Sequence, residues 1–238
     1  MSGSCYNTAE WISLYIHIPF CSHKCPYCHF YVIPDKPSFK DTLLHGLQRE
    51  WSSIQPHLEG KKLASVYFGG GTPTLFEPQR TSQVLGWIGD QFQSLDGVEI
   101  TIEANPEQIT YDQMAALRRI GINRLSVGIQ SLHSDELQIL DRRHSPARAK
   151  ESIFCAHEAG FHNISIDLMY ELPNQTIEHW HETLRQAATL PITHISLYNL
   201  TIEPHTIFDK QQQKLRPLLP DDETSAQMYL DAIQILSE

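Results

Sequence analysis

The sequence has no long apolar run and no leader segment. Every hydrophobic stretch is interrupted well before the roughly 20 residues that a membrane-spanning helix requires, so no transmembrane segment is predicted. The first residues, MSGSCYNTAEWISLY, lack a basic region followed by a long apolar one, so no signal peptide is predicted. Both absences favour a cytoplasmic protein in which thiols stay reduced.

Positive charge is also in short supply. The chain has 18 Lys and Arg against 28 Asp and Glu, a formal net charge of −10, and it has no basic stripe with interleaved aromatic residues. A nucleic acid would bind against this field, so no nucleic-acid partner is predicted. The rest of the composition, 41% hydrophobic and 19% charged over 238 residues, is typical of a globular protein with a full core.

Apolar, β-branched stretches alternate with helical patterns along the chain. Helices are predicted near residues 38–56, 77–92, 110–119, 146–159 and 176–189, and the six predicted strands are SLYIHIP, SVYFGG, EITIEAN, RLSVGIQ, ISIDLMY and HISLYNL. Strands that alternate with helices indicate a parallel sheet with right-handed crossovers. Six of them fit either a doubly wound sheet or an incomplete barrel.

Polar residues at the strand ends distinguish these two folds. Nearly every strand ends in a chemically specific residue or motif, in strand order Cys21, GGGTPT, Glu103, Gln130, Asp167 and YNLTIEP. Side chains gathered from the carboxyl ends of many strands are the barrel arrangement, whereas a doubly wound sheet concentrates them at one switch point. We therefore predict an α/β fold, a partial (β/α)6 TIM-like barrel.

Three cysteines lie within the eight residues CSHKCPYC, directly after the first predicted strand. On a continuous helix Cys21, Cys25 and Cys28 would share one face. Pro26 argues against that helix, since a proline in a helix interior costs about 3 kcal/mol. The segment is therefore predicted to be a loop that folds around a bound group.

The identity of that group has three alternatives on spacing alone. A structural zinc site prefers four ligands, so His23 or His29 would have to complete it, because no second pair of clustered cysteines exists. An iron–sulfur cluster held by three thiolates keeps one iron open. An unmetallated thiol loop is the third alternative. Cys5 and Cys155 lie apart from the cluster, and no chemical role is predicted for them.

The CxxxCxxC spacing, with an aromatic residue before the last cysteine, resembles the signature of radical S-adenosylmethionine (SAM) proteins. The resemblance covers residues 14 to 208 through YIHIPFC, FGGGTPT, IEANPE, RLSVGIQS, LDRRH, IDLMYELPNQT and LYNLTIEP. The chain is similar to the oxygen-independent coproporphyrinogen III oxidases and to their sister group, the haem chaperones. The resemblance implies a [4Fe–4S] cluster on Cys21, Cys25 and Cys28, with SAM chelating the open iron.

The resemblance also implies a set of SAM contacts. The glycine motif contacts the methionyl moiety, an arginine is the natural partner of the SAM carboxylate, and an acid or amide suits the ribose hydroxyls. The SAM-binding residues implied in this way are Tyr15, Tyr27, Gly70, Gly71, Thr72, Glu103, Gln130, Arg142 and Asp167.

Two positions depart from the pattern of the relatives. The oxidases carry a further cysteine two positions after the third, where this chain has Phe30. This departure favours a haem chaperone without oxidase turnover, with an oxidative decarboxylase of coproporphyrinogen III and a zinc-stabilised binding module as alternatives. The relatives also show glycine where this chain has Glu171.

The resemblance further implies a domain organisation and partners. Residues 14–210 are expected to form the radical SAM core, after an N-terminal extension over residues 1–13. Residues 211–238 are expected to start a C-terminal region that looks truncated. The expected ligands are haem or a porphyrinogen, and the expected protein partners are haem-receiving proteins.

Overall fold

The structure, a computed structural model, describes residues 10–237, so Cys5 lies outside the described residues. Within that range the chain forms the following strands: β1 Trp11–Ile18, β2 Phe20–Cys21, β3 Ile33–Pro34, β4 Lys62–Gly70, β5 Glu99–Ala104, β6 Arg124–Gln130, β7 Ile164–Tyr170 and β8 His194–Asn199. It also forms the following helices: α1 Pro37–Ile54, α2 Pro78–Phe92, α3 Tyr111–Arg119, α4 Ser134–Ile139, α5 Pro146–Glu158, α6 Ile177–Ala188, α7 Ile207–Lys210, α8 Gln212–Leu215 and α9 Asp222–Leu236.

The main sheet confirms the predicted half-barrel. Its six strands are all parallel and lie in the order β1-β4-β5-β6-β7-β8, which follows the chain without reversal. A doubly wound sheet would reverse its strand order at a switch point, so that alternative is excluded. The short strands β2 and β3 pair separately beside the end of β1.

The two faces of the sheet differ in polarity. On β1, Ile16 and Ile18 are buried against the helices, whereas Ser13 and Tyr15 face the open concave side. The same alternation along the other strands places the apolar core between the convex face and the helices. The concave face is left with hydroxyl and charged side chains, which is where the predicted polar residues lie.

Side-chain caps set the start of several helices. Thr110, Ser145, Thr176 and Asp221 each accept a hydrogen bond from the backbone N–H three residues further on, at the starts of α3, α5, α6 and α9. Such a cap is worth about 1 kcal/mol to the helix that it begins. The five predicted helices begin within one or two residues of the expected positions, and three of them, α3, α5 and α6, have such a cap.

The structure adds elements that the pattern did not predict. Helices α4, α7 and α8 have four to six residues, too few for a hydrophobic period to show in the sequence.

Helix α9 packs on α6, where Trp180 Nε1 donates to Met228 O at 2.8 Å and His181 pairs with Asp231 at 2.6 Å. Among the described residues no helix is long and apolar enough to cross a membrane.

Candidate functional site

The cysteine segment is a loop, as predicted. Residues 22–32, between β2 and β3, contain neither helix nor strand, and the Cys28 N–H donates to Cys25 O at 3.1 Å across the turn that contains Pro26. The Ile33 N–H donates to Pro19 O at 2.8 Å and closes the base of the loop. The loop therefore lies at the carboxyl end of β1, at the mouth of the half-barrel.

Side chains from other elements hold this loop in place. His23 contacts Asp141 (Nε2 to Oδ2, 2.8 Å) and Arg143 (Nδ1 to Nη2, 3.1 Å), both from the segment after α4. Tyr27 packs beside Phe208, and the Phe208 N–H donates to Pro26 O at 3.1 Å. His23, a candidate zinc ligand in the sequence, thus has both ring nitrogens engaged with the barrel.

A cavity of about 420 Å³ lies under the loop, at the carboxyl ends of the strands, and all three cysteines line it. Seven of the nine predicted SAM residues line the same cavity: Tyr27, Gly70, Gly71, Glu103, Gln130, Arg142 and Asp167. The other two do not. Tyr15 is 60% exposed on the concave face, where it stacks on Tyr67 at 6.0 Å, and Thr72 is only 1% exposed, behind Cys21.

The glycines after β4 are required by the approach of another backbone segment. A Cβ on Gly71 would lie 2.4 Å from the Phe20 carbonyl oxygen, and Gly70 adopts φ +124° with a would-be Cβ 2.8 Å from the His17 ring. The Gly71 and Thr72 N–H groups donate to Ile18 O and Phe20 O at 2.9 and 2.7 Å. These bonds fix the glycine segment directly beneath the cysteine loop.

Two carboxyl groups face the cavity from strands that lie on either side of β6. Glu103 on β5 accepts hydrogen bonds from the Tyr67 hydroxyl at 2.8 Å and from the Gly70 N–H at 3.0 Å. Asp167 on β7 accepts one from the Ser126 hydroxyl at 3.4 Å. Burial raises the pKa of Glu103 and of Asp167 above its ordinary value, against the lowering effect of these hydrogen bonds. The cavity wall thus contains two carboxyl groups that are largely removed from water and that can accept hydrogen bonds from a ligand.

Three groups hold the Arg142 guanidinium: an amide oxygen, a backbone carbonyl and a cysteine sulfur. Its Nη2 donates to Asn105 Oδ1 at 2.6 Å and to Gly128 O at 2.7 Å, and its Nη1 lies 3.6 Å from Cys25 Sγ. Its Nε–H is buried and has no partner in the described part of the chain. A buried N–H of a guanidinium without a partner is costly, and an anionic ligand in the cavity would satisfy it.

Gln130 provides a buried acceptor that complements the buried donor of Arg142. A register shift between Gly128 and Gln130 interrupts the β6–β7 pairing, and Gln130 adopts φ +63°. Its side chain is buried in the cavity wall, and its Oε1 has no hydrogen-bond donor among the described residues. An acceptor of this kind suits a ligand hydroxyl, so the cavity wall has both an unpartnered donor and an unpartnered acceptor.

The spacing of the thiols does not support a closed zinc site. Within residues 10–237, the group of metal-ligating side chains whose ligand atoms all lie within 4.8 Å of one another is His133, Asp135 and His179. The three cysteines do not form such a group, so at least one pair of their sulfur atoms is further apart. Thiolates on one tetrahedral zinc would be about 3.8 Å apart, because each Zn–S bond is near 2.3 Å. A cluster of several atoms fits the wider spacing.

The histidine group is not a zinc site in this arrangement either. The rings of His133 and His179 are stacked, with centroids 4.1 Å apart and 8° between their planes. A metal ion lies in the plane of each imidazole that binds it, so one ion cannot be bound by two parallel rings at this distance. The zinc-stabilised module therefore has no support in the described residues.

A half-barrel of parallel strands with a three-thiol loop at its mouth is the arrangement of a barrel that binds a metal cluster and a second ligand beside it. The comparisons with known proteins agree. The chain belongs to the radical SAM superfamily, whose family profile matches residues 15–187. Membership implies a [4Fe–4S] cluster and SAM as cofactors, and the donor set described above fits both.

Individual proteins show which members of the superfamily this chain is similar to. The chain is 39% identical over 231 residues to the haem chaperone HemW of Haemophilus influenzae, covering 95% of this chain and 59% of that protein. It is 37% identical over 220 residues to HemW of Bacillus subtilis, covering 91% and 58%. The solved structure of coproporphyrinogen III oxidase HemN from Escherichia coli superposes with a TM-score of 0.84 at 31% identity, covering 94% of this chain and 52% of that one. The chain thus spans between half and six-tenths of the length of these relatives.

The structure shows the positions of Glu171 and Phe30, the two residues that differ from the expected pattern of the relatives. Glu171 follows β7 with φ +61°, the left-handed region that favours glycine, which explains the glycine of the relatives. Its side chain contacts Asn199 and Ser225, and it does not line the cavity. Phe30 lies in the cavity wall beside His29, with ring centroids 5.2 Å apart, so an apolar ring occupies the position of the oxidases' further cysteine.

Sequence reasoning missed several residues that shape the site. Asn105 and Tyr67 hold Arg142 and Glu103 in place. Gly128 leaves room for the Gln130 and Asn105 side chains, since a Cβ there would lie 2.8 Å from Gln130 Nε2 and 3.2 Å from Asn105 Oδ1. Asn105 and Gly128 lie inside the quoted motifs IEANPE and RLSVGIQS. The available signal was their position one or two residues from a predicted ligand, at the end of a strand.

Proposed function

We propose that this chain binds a [4Fe–4S] cluster through Cys21, Cys25 and Cys28, and SAM beside it, as the cofactor-binding part of a haem-chaperone-like radical SAM protein. The observation that supports this best is the composition of one cavity wall. Three thiols, a buried arginine N–H without a partner and a buried amide oxygen without a partner line the same space.

Each cavity residue has a role in this proposal. The cluster, when bound and reduced, supplies the single electron for reductive cleavage of SAM. Arg142 donates to the SAM carboxylate, while Glu103, Asp167 and Gln130 accept from the ribose hydroxyls. The remaining SAM contacts are proposed for Gly70, Gly71, Thr72, Tyr15 and Tyr27, of which Tyr15 and Thr72 require a rearrangement to reach the cavity.

The haem-chaperone role rests on the named relatives and on one residue. Relatives that match over 91–95% of this chain include several named haem chaperone HemW. Phe30 stands where an oxidase would have a further cysteine. We accordingly propose haem as a ligand and haem-receiving proteins as partners, with residues 14–210 as the radical SAM core.

The second candidate is oxidative decarboxylation of coproporphyrinogen III. The structural likeness to HemN, with a TM-score of 0.84, favours it. The same cofactors would serve both functions, so the two candidates differ in the fate of the tetrapyrrole and in the need for the further cysteine.

Anaerobic reconstitution tests the cofactor proposal. The protein is expected to take up about four irons per chain and to show thiolate-to-iron absorption that bleaches on reduction. Cys21→Ala, Cys25→Ala or Cys28→Ala should abolish the absorption, whereas Cys155→Ala in α5, outside the cavity, should retain it. SAM should change the electron paramagnetic resonance (EPR) signal of the reduced cluster, and Arg142→Ala should weaken SAM binding by about 1–3 kcal/mol. A colourless protein with one stoichiometric zinc contradicts the proposal.

A paired assay separates chaperone from oxidase. Haem added to the reconstituted protein should give a saturable change in its visible spectrum, and coproporphyrinogen III with SAM and a reductant should give no protoporphyrinogen. Phe30→Cys is the matched variant, since it restores the oxidase-type cysteine alone. Sustained product formation by the parent protein without haem binding would establish the oxidase instead. If the protein neither binds haem nor forms protoporphyrinogen, the haem role is refuted and the cofactor proposal stands.

A further inference from the structure

Asn105 lies at the centre of the hydrogen bonds beneath the cysteine loop. It follows β5 directly, and its side-chain amide has two partners from distant parts of the chain. Its Oδ1 accepts from Arg142 Nη2 at 2.6 Å, and its Nδ2 donates to Thr72 Oγ1 at 3.0 Å. Arg142 can only donate, so the oxygen of the amide must face it. The orientation of the Asn105 amide is therefore determined.

Each partner of Asn105 touches a different cysteine of the loop. Thr72 Oγ1 lies 3.8 Å from Cys21 Sγ, and Arg142 Nη1 lies 3.6 Å from Cys25 Sγ. Because the Thr72 oxygen already accepts from Asn105, its own proton is free to point at the sulfur. Hydrogen bonds thus run without a break from Cys21 through Asn105 to Cys25.

Two consequences follow from this geometry. Hydrogen bonds and positive charge at cluster sulfurs stabilise the reduced cluster and raise its reduction potential. The same Arg142 guanidinium has its Nε–H buried and unpartnered in the cavity wall. A residue that holds both Thr72 and Arg142 acts on the cluster and on the anion-binding group at once.

We propose that Asn105 is a positioning residue that sets both the affinity of the site for SAM and the reduction potential of the cluster. It holds the arginine for the SAM carboxylate with its amide oxygen and directs the Thr72 hydroxyl to the Cys21 sulfur with its amide nitrogen. This inference rests on the proposed cofactors. It adds a residue of the cavity wall that acts through its hydrogen bonds to Thr72 and Arg142.

The test compares Asn105→Ala with the parent protein, both reconstituted with iron and sulfide. The variant is expected to bind SAM roughly tenfold more weakly and to have a more negative cluster midpoint potential in an EPR-monitored redox titration. Thr72→Val removes only the hydroxyl arm, so it should lower the potential with a smaller effect on SAM affinity. Should Asn105→Ala fail to fold, Asn105→Asp provides an isosteric replacement that cannot donate to Thr72.

Asn123→Ala is the matched control for a purely structural loss. Asn123 is also an asparagine with two hydrogen bonds, to the Ile100 N–H and to Val98 O, but it lies outside the cavity. This variant should lose thermal stability and keep the parent potential and SAM affinity. The inference is overturned if Asn105→Ala keeps both parent values, or if both alanine variants change them equally. A parent protein that assembles no cluster or binds no SAM would refute the proposed function itself.

Discussion

At the residue scale, the pocket carboxyl groups are the clearest conflict between stability and function. Asp167 is half-buried on the concave face, where it accepts from hydroxyl groups, and desolvation raises its pKa against the opposing effect of the nearby Arg124 and His194. The unfolded chain therefore loses this proton at a lower pH than the folded chain does. Between the two pKa values stability falls as the pH rises, and above the folded pKa the full cost remains.

Asp167→Asn should therefore stabilise the protein while it weakens the site. We expect the free energy of unfolding at pH 7.5 to rise by about 1 kcal/mol, with the difference from the parent vanishing below about pH 3, where this carboxyl is protonated in the unfolded parent as well. Urea unfolding of the metal-free protein across this pH range measures it. The same variant should bind SAM more weakly by about 1–3 kcal/mol. Asp96→Asn, on an exposed loop, is the control and should change neither quantity.

At the element scale, the ends of the strands position the site through unusual backbone conformations. Gln130, the last residue of β6, and Glu171, directly after β7, both have positive φ, 63° and 61°. At Gln130 the conformation brings the side chain into the cavity wall, so the strain has a functional reason. At Glu171 the strained conformation does not serve the cavity, because the Glu171 carboxylate contacts Asn199 and Ser225 instead.

The strain at Glu171 predicts an order of stability between two variants. Glu171→Gly and Glu171→Ala both remove the carboxylate, but only glycine adopts φ near +61° without a steric cost. We expect the glycine variant to be more stable than the alanine variant by about 0.5–1 kcal/mol, since the left-handed penalty exceeds the extra entropy of glycine in the unfolded chain. Thermal unfolding of the two proteins side by side measures the difference. Equal midpoints, or a more stable alanine variant, would contradict a strained turn.

At the scale of the whole molecule, the fold separates its stability from its chemistry. The large apolar core lies between the convex face of the sheet and the helices, and a second, small cluster lies near the site: Leu140, Met169, Leu172, Leu200 and Phe208, with Tyr27 packed against it. The cysteine loop rests on this second cluster and on side-chain contacts from the segment after α4. Substitutions in the concave face can therefore change ligand binding while the main core stays intact.

The helices, the strands and the class of site could be predicted from local sequence. The alternation of apolar residues predicted six strands, their parallel order and five long helices, because period and strand polarity are properties of local sequence. Pro26 excluded a helix over the cysteines for an equally local reason. The three-thiol spacing and the strand-end polar residues identified the carboxyl edge of the sheet, since parallel strands bring their carboxyl ends together.

Which atoms contact one another in the site followed from the three-dimensional packing of the chain. Tyr15 and Thr72 matched the expected motif, yet one lies on the open concave face and the other behind Cys21. Asn105 had no separate signal, yet it joins Thr72 and Arg142, which are 70 positions apart in the chain. These contacts depend on strand register, on the irregular pairing near Gln130 and on the direction of each side chain. Such quantities are set by packing between segments that are remote in sequence, so no local pattern encodes them.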